Sequence, residues 1–151
     1  MAVSGTDPEK AGRIPVKKGL LTSLDSPLSE VRLKGRRCRE CGEAFLGEPE
    51  VCENCGGERM TDIVFSPRGR LWTYTVIGHR PPGDFKGPDP FVSFGIGLVE
   101  LPEGIRVLSP LTGRGPQDLK IGMEMGLVVE KLFVNEEGQE VISYNFQPVK
   151  E

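Results

Sequence analysis

Histidine is almost missing from this 151-residue sequence, with His79 alone, and no cysteine lies outside two C-x-x-C pairs. Covalent acyl transfer and redox catalysis need a nucleophile with a base in reach, so the chain is poorly equipped for either. No apolar run approaches the roughly 20 residues that span a bilayer. The opening MAVSGTDPEKAGRIP has acidic residues and no hydrophobic block, so no secretory leader is expected and a reducing, cytoplasmic location is. The formal net charge of -3 lacks the basic excess with which a nucleic-acid binder neutralises phosphates, although a local basic patch stays open. Phosphate-cradling loops are missing too: Gly113-Arg114-Gly115 has no Gly-Lys-Ser/Thr ending, and no G-x-G-x-x-G follows a strand.

Turn residues are abundant. Gly 20 and Pro 13, beside 37% hydrophobic residues, describe a folded, turn-rich, mainly β protein. Residues 1–34 read as a flexible tail leading into one short helix within 20–33, with Ser23 or Asp25 as N-cap and Pro27 in the first turn. Beyond the cysteines, strands are predicted over 70–78, 91–101, 105–110, 123–134 and 140–146, separated by turn chemistry such as Pro81-Pro82-Gly83 and Pro102-Glu103-Gly104. In Leu71-Trp72-Thr73-Tyr74-Thr75-Val76-Ile77 large residues alternate in two registers, predicting a strand partly covered on both faces. Five short strands over 63–151 predict a closed OB-fold barrel. Gly95 and Gly97 inside a strand read as a bulge or barrel bend that needs no side chain.

The cysteines define a module over 35–62. Cys38-Arg39-Glu40-Cys41 and Cys52-Glu53-Asn54-Cys55 are each followed by glycine and stand ten residues apart. Two such knuckles joined by a hairpin present four sulfurs tetrahedrally, which suits one structural zinc per chain; rubredoxin-type iron would use the same geometry. A closed four-sulfur site has no open position for a substrate, so Cys38, Cys41, Cys52 and Cys55 are predicted to stabilise a small fold and not to catalyse.

Three other features could make contacts. Arg32, Lys34, Arg36, Arg37 and Arg39 enter the first knuckle, and on a strand Arg32, Lys34 and Arg36 share a face that could meet phosphates or serve as a solvated edge. His79-Arg80-Pro81-Pro82 opens a long Gly-, Pro- and Asp-rich loop carrying Phe85 and Lys86, a length more often functional than not. His79 by itself fits a structural role better than that of a base. Trp72, Tyr74 and the phenylalanines would be stacking platforms in a nucleic-acid binder, but their alternation reads more simply as core.

At these residues the chain resembles a family of small zinc-ribbon and OB-fold proteins encoded beside thiolase-like and acyl-CoA hydratase-like enzymes. The resemblance lies in 35–42, Cys52-Glu53-Asn54-Cys55-Gly56, the segment from Thr73 to Pro82, and Asp118-Leu119-Lys120-Ile121-Gly122-Met123, and it extends from about residue 20 to the end. Within the family the chain is similar to small zinc-containing subunits of benzoylsuccinyl-CoA thiolases from anaerobic toluene degradation. The resemblance implies a non-catalytic subunit in a hetro-oligomer with a thiolase-like catalytic chain. That chain would cleave a β-keto acyl-CoA with coenzyme A, 2-benzoylsuccinyl-CoA giving benzoyl-CoA and succinyl-CoA. His79, Arg80, Phe85, Lys86, Arg36 and Arg37 are then the candidate contacts to acyl-CoA, CoA or the partner. Gly78 stands before His79 where the family commonly has a bulkier residue. A nucleic-acid-binding module is the alternative reading.

Overall fold

β-Branched and aromatic residues alternate between Gly- and Pro-rich turns through most of the chain, and extended structure follows. The computed structural model describes residues 12–83, 90–113 and 115–149. In chain order the strands are β1 (Arg13–Pro15), β2 (Lys34–Cys38), β3 (Ala44–Leu46), β4 (Met60–Val64), β5 (Arg68–Ile77), β6 (Phe94–Glu100), β7 (Arg106–Leu111), β8 (Glu124–Val134) and β9 (Glu140–Pro148). Single 3-10 turns occupy Leu28–Glu30 and Pro116–Asp118. The chain divides after Phe65: the segment up to Phe65 groups with 129–143, and 66–128 groups with the segment from Tyr144 onward.

In the unit after Phe65 the strands form the OB-fold barrel that the punctuation predicts. β5 pairs antiparallel with β6, and β6 with β7. β7 meets β9 in parallel at Leu111 and Phe146, and β8 pairs with both β9 and β5 to close the circle. Period-two burial marks the interior: Gly95, Gly97 and Val99 of β6 and Val107, Ser109 and Leu111 of β7 are buried, with less buried neighbours between them. Leu71, Met125 and Phe146 complete that interior. Strands come closest where glycine leaves room. A Cβ on Gly97 would strike the Thr73 carbonyl oxygen, and one on Gly95 would sit 2.6 Å from Leu119 Cδ1. Leu119 itself is buried, and its carbonyl accepts the Tyr74 hydroxyl at 3.1 Å.

The other unit holds the three-stranded sheet β3-β2-β4. Gly35 is its tight point, because a Cβ there would run into the Phe45 carbonyl and come within 2.7 Å of the buried Phe65 ring. Leu20, Leu21, Val31 and Leu33 supply the apolar interior of the segment before β2, tied by a Leu21–Leu33 bridge and by the Lys34 N–H on the Leu20 carbonyl at 2.9 Å.

Three expectations change. The tail is not wholly loose: Arg13–Pro15 lies parallel on β9, and the Val16 N–H donates to the Ile142 carbonyl at 2.8 Å. Its partner lies more than 120 residues away, which local composition does not reveal; the rest of the expected tail, 1–11, falls outside the described residues. The predicted helix shrinks to Leu28–Glu30, without a side-chain cap, since Pro27 favours an extended residue before it. Trp72 is not core. The β5–β6 register slips between Leu71 and Thr73, and the bulge turns the indole outward, 45% exposed, with the Arg106 guanidinium 4.0 Å from its ring centroid.

Gly97→Ala should lower unfolding free energy by about 2 kcal/mol through overpacking against backbone. Gly78→Ala, with open space around the added methyl, should change stability by less than about 0.5 kcal/mol. Urea titration of both variants followed by circular dichroism measures the difference.

Candidate metal centre

Each knuckle is built by the same set of bonds. The Cys38 N–H donates to the Glu43 carbonyl and the Cys52 N–H to the Gly57 carbonyl, both at 2.8 Å. Gly42 and Gly56 N–H groups return to the Cys38 and Cys52 carbonyls at 2.9 Å, closing turns that need φ of 86° and 80°. Glycine reaches such values without strain. The Glu40 and Asn54 N–H groups then point at the Cys38 and Cys52 sulfurs, both at 3.3 Å.

The two turns bring the four sulfurs within 4.8 Å of one another. Cys38 and Cys55 Sγ are 3.7 Å apart, and Cys41 and Cys52 Sγ 3.5 Å, far beyond a disulfide bond and close to a ligand edge. With zinc about 2.3 Å from each thiolate, neighbouring sulfurs of a regular tetrahedron stand about 3.8 Å apart. Cys38 and Cys52 are buried, while Cys41 and Cys55 face solvent. The electrostatics match a cation site. The Glu43 N–H and the Asn54 amide, with lesser help from neighbouring thiols, hold the Cys41 thiol down at about 7. At Cys55 the Gly57 N–H favours the thiolate, but the Cys38 thiol, burial, Cys41 and Cys52 outweigh it and push the thiol up to about 12. Four converging thiolates repel, and a divalent cation at their centre removes the conflict.

Asn54 was not singled out in the sequence. Its amide lies 3.6 Å from Cys41 Sγ, a contact that the spacing of Cys52-Glu53-Asn54-Cys55 makes possible but does not announce. The other candidates are scattered. Arg36 Nε pairs with Asp62 at 2.9 Å, and its Nη1 reaches the Pro49 carbonyl at 3.1 Å; Arg37 Nη1 donates to the Gly42 carbonyl at 2.6 Å. Lys34 pairs with Glu48 at 3.3 Å, and Arg32 Nη1 donates to the Ser29 carbonyl at 2.9 Å. Four of the five residues in the basic run therefore find partners along their own chain. His79 and Arg80 are exposed just past the end of β5, and Phe85 and Lys86 lie outside the described residues.

Cys38→Ala and Cys55→Ala should each abolish the bound metal, one ion per chain in the parent by elemental analysis. Amide exchange across 34–64 should rise to that of an unfolded segment, because metal binding and folding are one equilibrium in so small a module. Full metal content in either variant would remove that cysteine from the ligand set.

Two family descriptions match the sequence: the rubredoxin-like zinc ribbon domain of ChsH2 over 26–61, and the C-terminal OB-fold domain of ChsH2 over 63–130. A DUF35 domain-containing scaffold protein of Methanothermobacter thermautotrophicus is 37% identical over 117 residues, 76% of this chain and 84% of that one. The benzoylsuccinyl-CoA thiolase subunit BbsA of Thauera aromatica is 29% identical over 150 residues, 93% and 98% of the two chains. A solved Ltp2-ChsH2(DUF35) aldolase superposes with a TM-score of 0.57 at 28% identity, over 78% of this chain and 84% of that chain. Ribbon, barrel and relatives agree: the chain belongs to the DUF35 family of zinc-ribbon and OB-fold proteins.

Proposed function

We propose that this chain is the non-catalytic accessory subunit of a thiolase-like complex acting on acyl-CoA. The observation that carries the reading is that all four cysteines converge on one metal centre, which leaves no thiol for covalent acyl transfer. The chain supplies structure and the partner supplies the nucleophile. Its relatives point the same way, being a scaffold protein, a thiolase subunit and part of an aldolase. Zinc is the metal expected in the four-sulfur site, in a cytoplasmic protein whose thiols stay reduced. The full-length similarity to the Thauera subunit supports 2-benzoylsuccinyl-CoA as the substrate of the complex, cleaved with coenzyme A to benzoyl-CoA and succinyl-CoA. The archaeal relatives share more identity and their names carry no substrate, so the choice of acyl group belongs to the catalytic chain. With the basic run held by its own carboxylates and carbonyls, the accessory role is favoured over nucleic-acid binding.

His79, Arg80, Phe85 and Lys86, in the stretch of sequence that follows β5, are the residues we assign to contact with the acyl-CoA or the partner. Arg36 and Arg37 serve that contact indirectly, by holding the ribbon in shape.

Purification of the untagged protein from its native cells, with mass spectrometry of the co-eluting chains, tests the function. A thiolase-like chain in stoichiometric amount, with one colourless zinc per small subunit, is the expected result; a lone monomer, or red iron-containing material, contradicts it. In the reconstituted complex, Arg80→Ala and Phe85→Ala should reduce kcat/KM about tenfold or more while zinc content and assembly stay intact. Unchanged kinetics in both would take the loop out of the mechanism.

A further inference from the structure

A strip of apolar side chains crosses the outer face of the barrel. Pairing sets Leu98 of β6 opposite both Thr73 of β5 and Leu108 of β7, with Trp72 bulging beside them. The Tyr144 hydroxyl of β9 donates to the Leu108 carbonyl at 2.8 Å, and burial holds its phenol above the usual tyrosine range. On the other side the Gly122 N–H donates to the Leu71 carbonyl at 2.7 Å, which sets Ile121 at the level of Trp72. Trp72, Leu108 and Ile121 are 45%, 59% and 68% exposed. Isolated apolar side chains on a surface need no explanation, but exposed ones gathered at one level across neighbouring strands mark a place of association.

The strip has a charged border. Arg70, Glu100 and Arg106 stand opposite one another across β5, β6 and β7. Arg106 covers the indole and also pairs with Glu100 at 3.3 Å, and Arg68 pairs with Glu124 at the same distance. Tryptophan and arginine are the types most enriched among the few residues that dominate binding energy, and here they are stacked on each other where the apolar strip meets its charged border.

We propose that this strip is the docking surface for the catalytic subunit, with Trp72 entering an apolar pocket rimmed by acidic side chains. The proposal rests on the accessory-subunit reading above. Charge selects the occupant. The border carries three arginines against two glutamates; Arg106 pairs with Glu100 and Arg68 with Glu124, which leaves Arg70 as its excess positive charge on a chain of net charge -3. A second copy offers the same excess of positive charge wherever the two borders touch, whereas an acidic rim on a different protein complements it.

The chain has one tryptophan, so 5-fluorotryptophan labels this surface alone. On adding the unlabelled thiolase-like subunit that co-purifies with the native protein, the fluorine resonance of Trp72 should shift and lose its H2O/D2O solvent isotope shift. Trp72→Ala should weaken the complex ~30-fold, as expected for a central anchor. Leu108→Glu should remove binding at the same concentrations, and both variants should keep their metal. A complex in which the resonance and its solvent isotope shift stay as in the free chain, with both variants binding like the parent, would overturn the surface while leaving the accessory role intact. Failure of the parent to bind any thiolase-like chain would instead remove the accessory role and this docking with it. Self-association abolished by Leu108→Glu would give the strip to a second copy and overturn the occupant named here.

Discussion

Four sulfurs meeting at one point make the ribbon possible. From Lys34 to Val64 the buried positions are Gly35, Cys38, Ala44 and Cys52: a bare backbone, one methyl group and two sulfurs. Burial worth ~25 cal/mol per Å² accumulates little on such an interior, so metal–thiolate bonds must take the place of a core. The rest of the module is arranged around that need. Paired N–H groups aim at Cys38 and Cys52, glycine takes the left-handed turn after each pair, and Arg37 holds the Gly42 carbonyl at the lip of the first knuckle.

The barrel answers to a different constraint, that of closing five strands around a narrow interior. Here burial suffices, with Leu71, Val99, Val107, Met125 and Phe146 all at or below 1% exposed. What closure costs is room between neighbouring backbones. Gly69 and Gly97 each lie where a methyl group would strike a carbonyl of the next strand, and Gly95 makes space for Leu119. Side-chain volume is given up at those positions so that hydrogen bonding can run around the circle.

Spacing and punctuation made much of this legible. The C-x-x-C pairs with their following glycines announce the metal cluster because its geometry is local, and the turn residues bracket the barrel strands to within a few positions. Features that depend on distant partners were not legible. Nothing in Arg13-Ile14-Pro15 shows that Glu140–Ile142 will lie beside it. Five basic residues near one another look like a phosphate patch, but carbonyls at the ribbon's turns, together with Glu48 and Asp62, draw most of them into the chain's own hydrogen bonding. Charge density along a sequence is therefore a poor measure of the potential a folded surface presents.

The segment from Leu71 to Ile77 shows how one inserted residue changes a strand's meaning. Large residues in two interleaved registers read as a strand covered on both faces, but the pairings give another account. Leu71 stands opposite buried Val99; past the bulge, Tyr74 stands opposite buried Gly97, and Val76 stands opposite Gly95 where the strand runs out to solvent, 45% exposed. The inward parity is odd before Trp72 and even after it, so each register describes only part of the strand. Because side chains alternate with a period of two, a one-residue bulge exchanges the faces for everything that follows. The residue at the exchange belongs to neither pattern. A β-bulge is thus the device by which this barrel places its only tryptophan outward, on a surface where packing against its own core gives no reason to keep it.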